Sequence, residues 1–223
     1  MYQRVVKRGF DIAISLFGLL LTAIVYVIVV PAIWLEDHGP IFYNAERIGQ
    51  HGKLFKMYKF RSMRVNAPDI RLADGSTYNG EDDPRVTKVG RFLRKTSIDE
   101  LPQLLNVLKG DMSLIGPRPD PPDWLDKYPD DIRVFLQVKP GITGYNQAYY
   151  RNAADGETKM IHDAYYARNC TFKLDVKILF KTIAVVLKQE NIHCDAERED
   201  EATVAAVAEE QLERVTSGVD NHS

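Results

Sequence analysis

An α+β protein, mainly helical, with an N-terminal membrane-embedded helix, a small β-hairpin and amphipathic interfacial helices, is expected from three features of this 223-residue chain. The first is "IAISLFGLLLTAIVYVIVVPAIWL", Ile12 to Leu35, which carries no charged residue. The second is a pair of short aromatic-rich stretches joined by Gly49-Gln50-His51-Gly52. The third is a run of helical patterns ending in an amphipathic stretch from Lys173 to Gln189. Composition fits one core: 45% of residues are hydrophobic, and 29 Lys and Arg face 31 Asp and Glu, so net charge points to no nucleic-acid partner. Two distant cysteines, Cys170 and Cys194, suit free thiols in a reducing compartment. The expected division is an anchor over 1–36, one polar domain over 37–190 acting as a unit with it, and an acidic tail over 191–223.

The apolar run has membrane length. As a helix it reaches roughly 36 Å, against a hydrocarbon core of roughly 30 Å. It is too long for a signal peptide, and "WLEDHG" offers no small-residue cleavage site. A core helix apolar on every face is out of proportion to a chain of this size. Cations flank both sides, Arg4, Lys7 and Arg8 before it and Arg47, Lys53 and Lys56 after it, which leaves little orientation bias. Pro31 favours a bend, so two topologies stay open: a hairpin that dips in and returns, and a kinked spanning helix. Asp11 beside Arg8 marks the interface.

"GPIFYNAERIG" and "KLFKMYKFRSM" read as the two strands of a hairpin. A period of two puts Lys59 and Arg61 on one face with Phe55, Met57 and Met63. Such a face suits a phosphate, or is simply a solvated strand with snorkelling stems. Val65 to Arg85, rich in Asp, Gly, Asn and Pro, is expected to be a long loop, mobile over a site. "PRPDPP" at 117–122 is an extended, stiffened loop. In "KPGITGYNQ", Pro140, Gly141 and Gly144 permit close backbone approach to a ligand, or a plain turn. In the last helix, Val176, Leu179, Phe180, Ile183, Val186 and Leu187 form a stripe opposite Lys173, Lys177 and Lys181, a pattern suited equally to an anionic membrane surface of phospholipids and to an ordinary surface helix.

"SIDELPQLLNVLKGDMSLIGPRP", Ser97 to Pro119, carries the chemistry. Leu101, Leu104, Leu105 and Leu108 share a helix face, Pro102 is tolerable only in the first turn, and Gly110 ends the helix. Asp99 is thereby placed near the N-cap, where it accepts backbone hydrogen bonds and faces the positive end of the dipole. Capping alone explains one carboxylate. Arg91, Arg94, Lys95, Arg118, Lys59 and Arg61 nearby in pattern point further: a carboxylate attacks phosphorus when cations or Mg2+ neutralise the phosphate oxygens. Glu100 is suited to hold that metal, with waters and phosphate completing the shell. Glycosidase chemistry is disfavoured, because two adjacent residues do not straddle a sugar.

The same stretch, with "YKFRSM" before it and "KPGITG" and "LDVKI" after it, resembles the small monotopic polyprenyl-phosphate phosphoglycosyl transferases, the bacterial sugar transferase family. The resemblance runs from about Lys7 to Lys188 through several motifs in order. It implies a catalytic domain on the cytoplasmic face of the bacterial inner membrane. Asp99 would attack the β-phosphate of a UDP-sugar, expel UMP and form a phosphosugar-aspartyl intermediate, which polyprenyl phosphate, typically undecaprenyl phosphate, then takes up in the first membrane step of a glycan pathway. Glu100 matches the Mg2+-associated glutamate. Lys59, Arg94 and Arg118 match phosphate-holding positions, Asp175 an acidic position in "LDVKI", and Lys139 stands where Arg is usual, keeping charge without the planar fork. The Ser-Pro pair that forces membrane re-entry in the family is replaced by Ala23-Ile24, seven residues before Pro31. Two other classes stay open on residues alone: a membrane-associated phosphohydrolase with an aspartyl-phosphate intermediate, and a tethered interaction module.

Overall fold

The computed structural model describes residues 2–71, 78, 80, 83–150 and 156–188. The acidic tail expected over 191–223 lies outside the described residues, as does part of the 65–85 loop. Helix α1 (Lys7–Asp37) follows a π-helical turn (Tyr2–Val6) and runs unbroken through Pro31, roughly 46 Å at 1.5 Å per residue. It is longer than its apolar run. Thr22, buried at 2% exposure, donates Oγ1 to the Gly18 carbonyl at 2.7 Å, a back-bond of the kind that bends helices without breaking them.

The faces of α1 are inverted relative to a soluble helix. Asp11, Ser15 and Thr22 are buried against the rest of the chain, while Phe17, Leu20, Ile24, Val27 and Ile28 are exposed. Such an outward apolar surface calls for lipid or a partner. Gly18 lets Leu104 approach; a Cβ there would lie 3.0 Å from its methyl carbon.

Both ends of α1 grip one domain. Near its start, Arg8 donates to the carbonyls of Val107 and Leu108, and Asp11 accepts from Ser113 Oγ and Leu114 N–H at 3.0 Å each. Of the two states open to a carboxylate at this position, hydrated or paired, Asp11 takes the paired one. At its far end, Glu36 accepts from the Lys88 and Val89 N–H groups at 2.6 and 3.1 Å, helping Thr87 cap α2 (Lys88–Thr96). Asp37 forks onto Arg61.

The expected hairpin is present. β1 (Phe42–Ile48) pairs antiparallel with β2 (Leu54–Phe60), Phe42 opposite Phe60 and Ile48 opposite Leu54, with Gly52 turning at φ +74°. Phe60 and Leu93 join Val29 and Ile33 of α1 in one apolar cluster. Next come α3 (Gln103–Lys109), β3 (Ser113–Ile115) and β4 (Gly141–Thr143), the last two pairing in parallel. Strands of three residues are too short to show periodicity, so this pair was not expected. The tight glycines of "KPGITG" meet the chain itself: a Cβ on Gly141 would lie 2.1 Å from the Gly116 nitrogen.

Helices α4 (Tyr145–Tyr149), α5 (Gly156–Arg168) and α6 (Phe172–Lys188) complete the domain. Ile178 of α6 packs with Ile115, Val138, Ala148 and Tyr166. The buried face of α6 is not the expected stripe: Ile178 and Val185, which lie outside it, are buried, whereas Phe180 and Ile183 within it are exposed. In the long loop, buried Arg85 forks onto Asp83 and donates to the carbonyls of Pro68 and Tyr78, which ties the described part of the loop down.

Candidate active site

The acidic pair sits between two helices. Helix α2 ends at Ser97, a non-glycine residue at φ 58°, and one 3-10 turn, Ile98–Glu100, follows. Pro102 then occupies the N-cap of α3 with no side-chain cap. Asp99 therefore does not cap α3, as its spacing had suggested. It lies a turn earlier, and its carboxylate is free to face sideways.

It faces Lys59. The ammonium of Lys59 is 2.7 Å from Asp99 Oδ2 and 3.7 Å from Glu100 Oε1. Asp99 Oδ2 is shielded from solvent and has no aligned hydrogen bond, so the short contact to Lys59 is a charge contact off the line of a hydrogen bond. On the other side of Glu100, Arg118 donates to Oε1 at 2.8 Å, and Glu100 above all raises the affinity of that guanidinium for its proton. Arg94 reaches in from α2, held by Ser62 Oγ at 3.0 Å. Burial lowers its pKa, opposed chiefly by the charge of Asp99. The result is two carboxylates among three cations, with Asp99 sequestered and Glu100 and Arg118 at the open side.

Local packing explains the placement. Lys59 is set by Asn106 of α3, whose Oδ1 accepts from the Tyr58 N–H at 2.9 Å and whose Nδ2 donates to the Lys56 carbonyl at 2.8 Å. Arg118 is set by the Gly116–Gly141 crossing, where Gly141 N–H donates to the Pro117 carbonyl and Gly116 N–H to the Thr143 carbonyl, each at 2.8 Å. Beyond it, the Asp120 carboxylate is clamped by Lys159 at 2.9 and 2.8 Å and by the Tyr128 hydroxyl at 3.0 Å. The proline loop is thereby fixed on α5.

Not every expected residue joins this cluster. Lys59, Arg94, Asp99, Glu100 and Arg118 come together. Arg61, expected beside Lys59, is turned away onto Asp37 and the Pro40 carbonyl. Asp175 accepts from Tyr2 and Tyr166 hydroxyls at 2.5 and 2.7 Å and from Lys7 at 2.7 Å, which joins the N-terminal turn to α6. Lys139 borders a separate groove beside Arg8. Asn106, Ser62 and Asp120 do not stand out in the sequence; an asparagine inside a leucine-rich helix is the one signal that could have flagged any of them.

Among the described residues no group of three or more His, Cys, Asp or Glu forms a metal cage. At the dyad, Glu100 offers the kind of carboxylate oxygen a hard cation binds, but its Oε1 is paired with Arg118 at 2.8 Å and lies 3.7 Å from Lys59, so a metal there would have to arrive with phosphate oxygens and waters as its other ligands.

The family profile for bacterial sugar transferases matches residues 2–189, and the chain belongs to that family. It is 44% identical over 205 residues to an undecaprenyl-phosphate galactose phosphotransferase of Salmonella typhimurium, covering 86% of this chain and 42% of that protein. It is 40% identical over 188 residues to a UDP-N-acetylgalactosamine-undecaprenyl-phosphate N-acetylgalactosaminephosphotransferase of Aeromonas hydrophila, covering 82% of this chain and 44% of that protein. An uncharacterised sugar transferase of Bacillus subtilis is 44% identical, with 87% of this chain and 95% of that protein covered. The chain thus spans about two-fifths of the length of several curated relatives and nearly all of another.

Proposed function

We propose that this chain is a phosphoglycosyl transferase that moves a sugar 1-phosphate from a UDP-sugar to undecaprenyl phosphate, with Asp99 as nucleophile, at the start of exopolysaccharide or related glycan synthesis. The observation that carries the reading is the sequestered Asp99 carboxylate 2.7 Å from Lys59, with Glu100 and Arg118 at its open side. In the first step an Asp99 oxygen bonds to the β-phosphorus, the bond to the bridging oxygen breaks, and UMP leaves with that electron pair. In the second, a phosphate oxygen of the polyprenyl acceptor bonds to the same phosphorus, and Asp99 departs as carboxylate. Lys59, Arg94 and Arg118 absorb the negative charge that would otherwise repel an anionic nucleophile from a diphosphate. Mg2+, held by Glu100, would add Lewis-acid neutralisation of the phosphate oxygens.

The membrane reading follows the same logic. Both ends of α1 are bracketed by polar side chains to one domain, so a course that keeps both ends of this continuous helix on one side of the bilayer, by bending rather than breaking, retains every bracket, whereas a straight crossing would pull one end from its partners. We place the domain on the cytoplasmic face of the inner membrane, where UDP-sugars are found. The sugar itself is open, since the relatives' names differ between galactose and N-acetylgalactosamine.

The test is product analysis. Purified chain with UDP-galactose or UDP-N-acetylgalactosamine, Mg2+ and undecaprenyl phosphate is expected to release UMP and form the lipid diphosphate sugar, and Asp99→Asn to abolish both. Free sugar phosphate as the product with acceptor present would instead indicate a hydrolase.

A further inference from the structure

Apart from the dyad, a groove of about 690 Å³ opens beside the start of α1, bordered by the N-terminal turn, the hairpin turn and Gln137–Lys139. Its charged lining is unevenly satisfied. Lys7 is paired with Asp175 at 2.7 Å. Arg8 is bound to neutral carbonyls of α3, and Asp11 is occupied by Ser113 and Leu114. Lys139, half-buried, has no hydrogen bond or ion pair among the described residues. Burial and the neighbouring Arg8 both push its pKa down, with Asp11 and Asp111 opposing. The C-terminus of α3 adds partial negative charge nearby, but Arg8 already takes the Val107 and Leu108 carbonyls. A half-buried ammonium beside a guanidinium is unfavourable until an anion arrives.

The surroundings decide which anion. Val5, Val6 and Phe10 next to the groove are exposed. Phe10 packs on Phe172 at 5.7 Å between ring centroids, and Phe172 on Tyr2 at 6.2 Å. From Phe172 the apolar surface continues along α6 through exposed Phe180 and Ile183. Cations recessed at the edge of an apolar surface match a molecule with a phosphate at one end and acyl chains at the other; a soluble phosphate would use only the first part.

We infer that this groove seats the headgroup of an anionic phospholipid, with Lys139 as its counter-ion, Arg8 adding to the field, and the acyl chains lying along Phe10 and Phe172. The inference rests on α1 lying in the membrane, and not on the transfer chemistry.

The test uses the full chain in nanodiscs of equal phosphatidylcholine and phosphatidylglycerol, followed by native mass spectrometry of the lipids that stay bound. Wild type is expected to retain phosphatidylglycerol several-fold over phosphatidylcholine. Lys139→Gln is expected to lose that preference and Lys139→Arg to keep it, which separates lost charge from lost folding. Millimolar inorganic phosphate is expected to leave retention unchanged; displacement by it would overturn the lipid assignment in favour of a free-anion site. No preference in wild type, or an undiminished preference in Lys139→Gln, would also overturn it. A chain that fails to enter nanodiscs contradicts the membrane reading itself, a result distinct from loss of headgroup preference.

Discussion

Asn106 of α3 meets the backbone of β2 as a neighbouring strand would: its side chain accepts from the Tyr58 N–H at 2.9 Å and donates to the Lys56 carbonyl at 2.8 Å. One fully buried amide thus fixes the strand segment that delivers Lys59 to Asp99. Asn106→Ala leaves a buried donor and acceptor without partners, a loss of about 1 to 3 kcal/mol. Thermal unfolding should show the destabilisation, and sugar-phosphate transfer by the folded fraction should fall as Lys59 loses its register. A variant equal to wild type in both would mean that Asn106 does not position the site.

Lys59 is the cation closest to the proposed nucleophile. Lys59→Gln is expected to lower turnover by about 10² to 10³, the scale seen when one preorganised charge stabiliser is removed. Lys59→Arg should recover part of it. UMP release at saturating UDP-sugar reads the effect directly.

Gly141 and Gly9 make opposite predictions for one substitution. A Cβ on Gly141 collides with backbone at 2.1 Å, whereas one on Gly9 meets nothing within 4 Å. Gly141→Ala should destabilise the chain and, by displacing the Pro117 carbonyl, misplace Arg118. Gly9→Ala, inside α1, should be neutral or stabilising by up to about 1 kcal/mol. Parallel melts of the two variants test whether the strand crossing sets the proline loop.

What was legible before folding was local. The apolar run, the hairpin with its glycine turn and Gly110 as a helix stop each depend on neighbours within a few residues. The clustering of Lys59, Arg94, Arg118 and the acidic pair followed from motif order. The brackets were not legible, because their partners are remote: Asn106 reaches 48 residues back to Tyr58, and Glu36 reaches 52 forward to Lys88. Asp99 as an N-cap failed for a local reason, since the αL turn at Ser97 inserted a 3-10 turn ahead of Pro102. Two partners of Asp175 are remote in the same way as those of the brackets: Tyr2 reaches it from the N-terminal turn and Lys7 from the start of α1, while Tyr166 comes from α5.

Asp163 gives a pH prediction. Burial raises its pKa to about 7, with Asp120 adding and Lys159 opposing. A carboxyl of ordinary pKa when unfolded then binds its proton more tightly in the folded state between about pH 4 and 7. Its contribution to stability is therefore greatest at the acid end of that window, falls as pH rises through it, and is flat above about 7. Asp163→Asn should remove this slope, which paired unfolding curves of wild type and variant at pH 4.5, 6 and 7.5 would reveal as a pH-dependent difference.

The central claim is covalent bonding of Asp99 to the transferred phosphorus, and mass spectrometry of the intact protein and of its proteolytic peptides tests it most directly. Wild type mixed with UDP-sugar and Mg2+, without lipid acceptor, is expected to gain the mass of one sugar phosphate on the peptide containing Asp99, to lose it when polyprenyl phosphate is added, and to gain nothing as Asp99→Asn. An Asp99→Asn variant that turns over at the wild-type rate, or an adduct mapped to another residue, would contradict it.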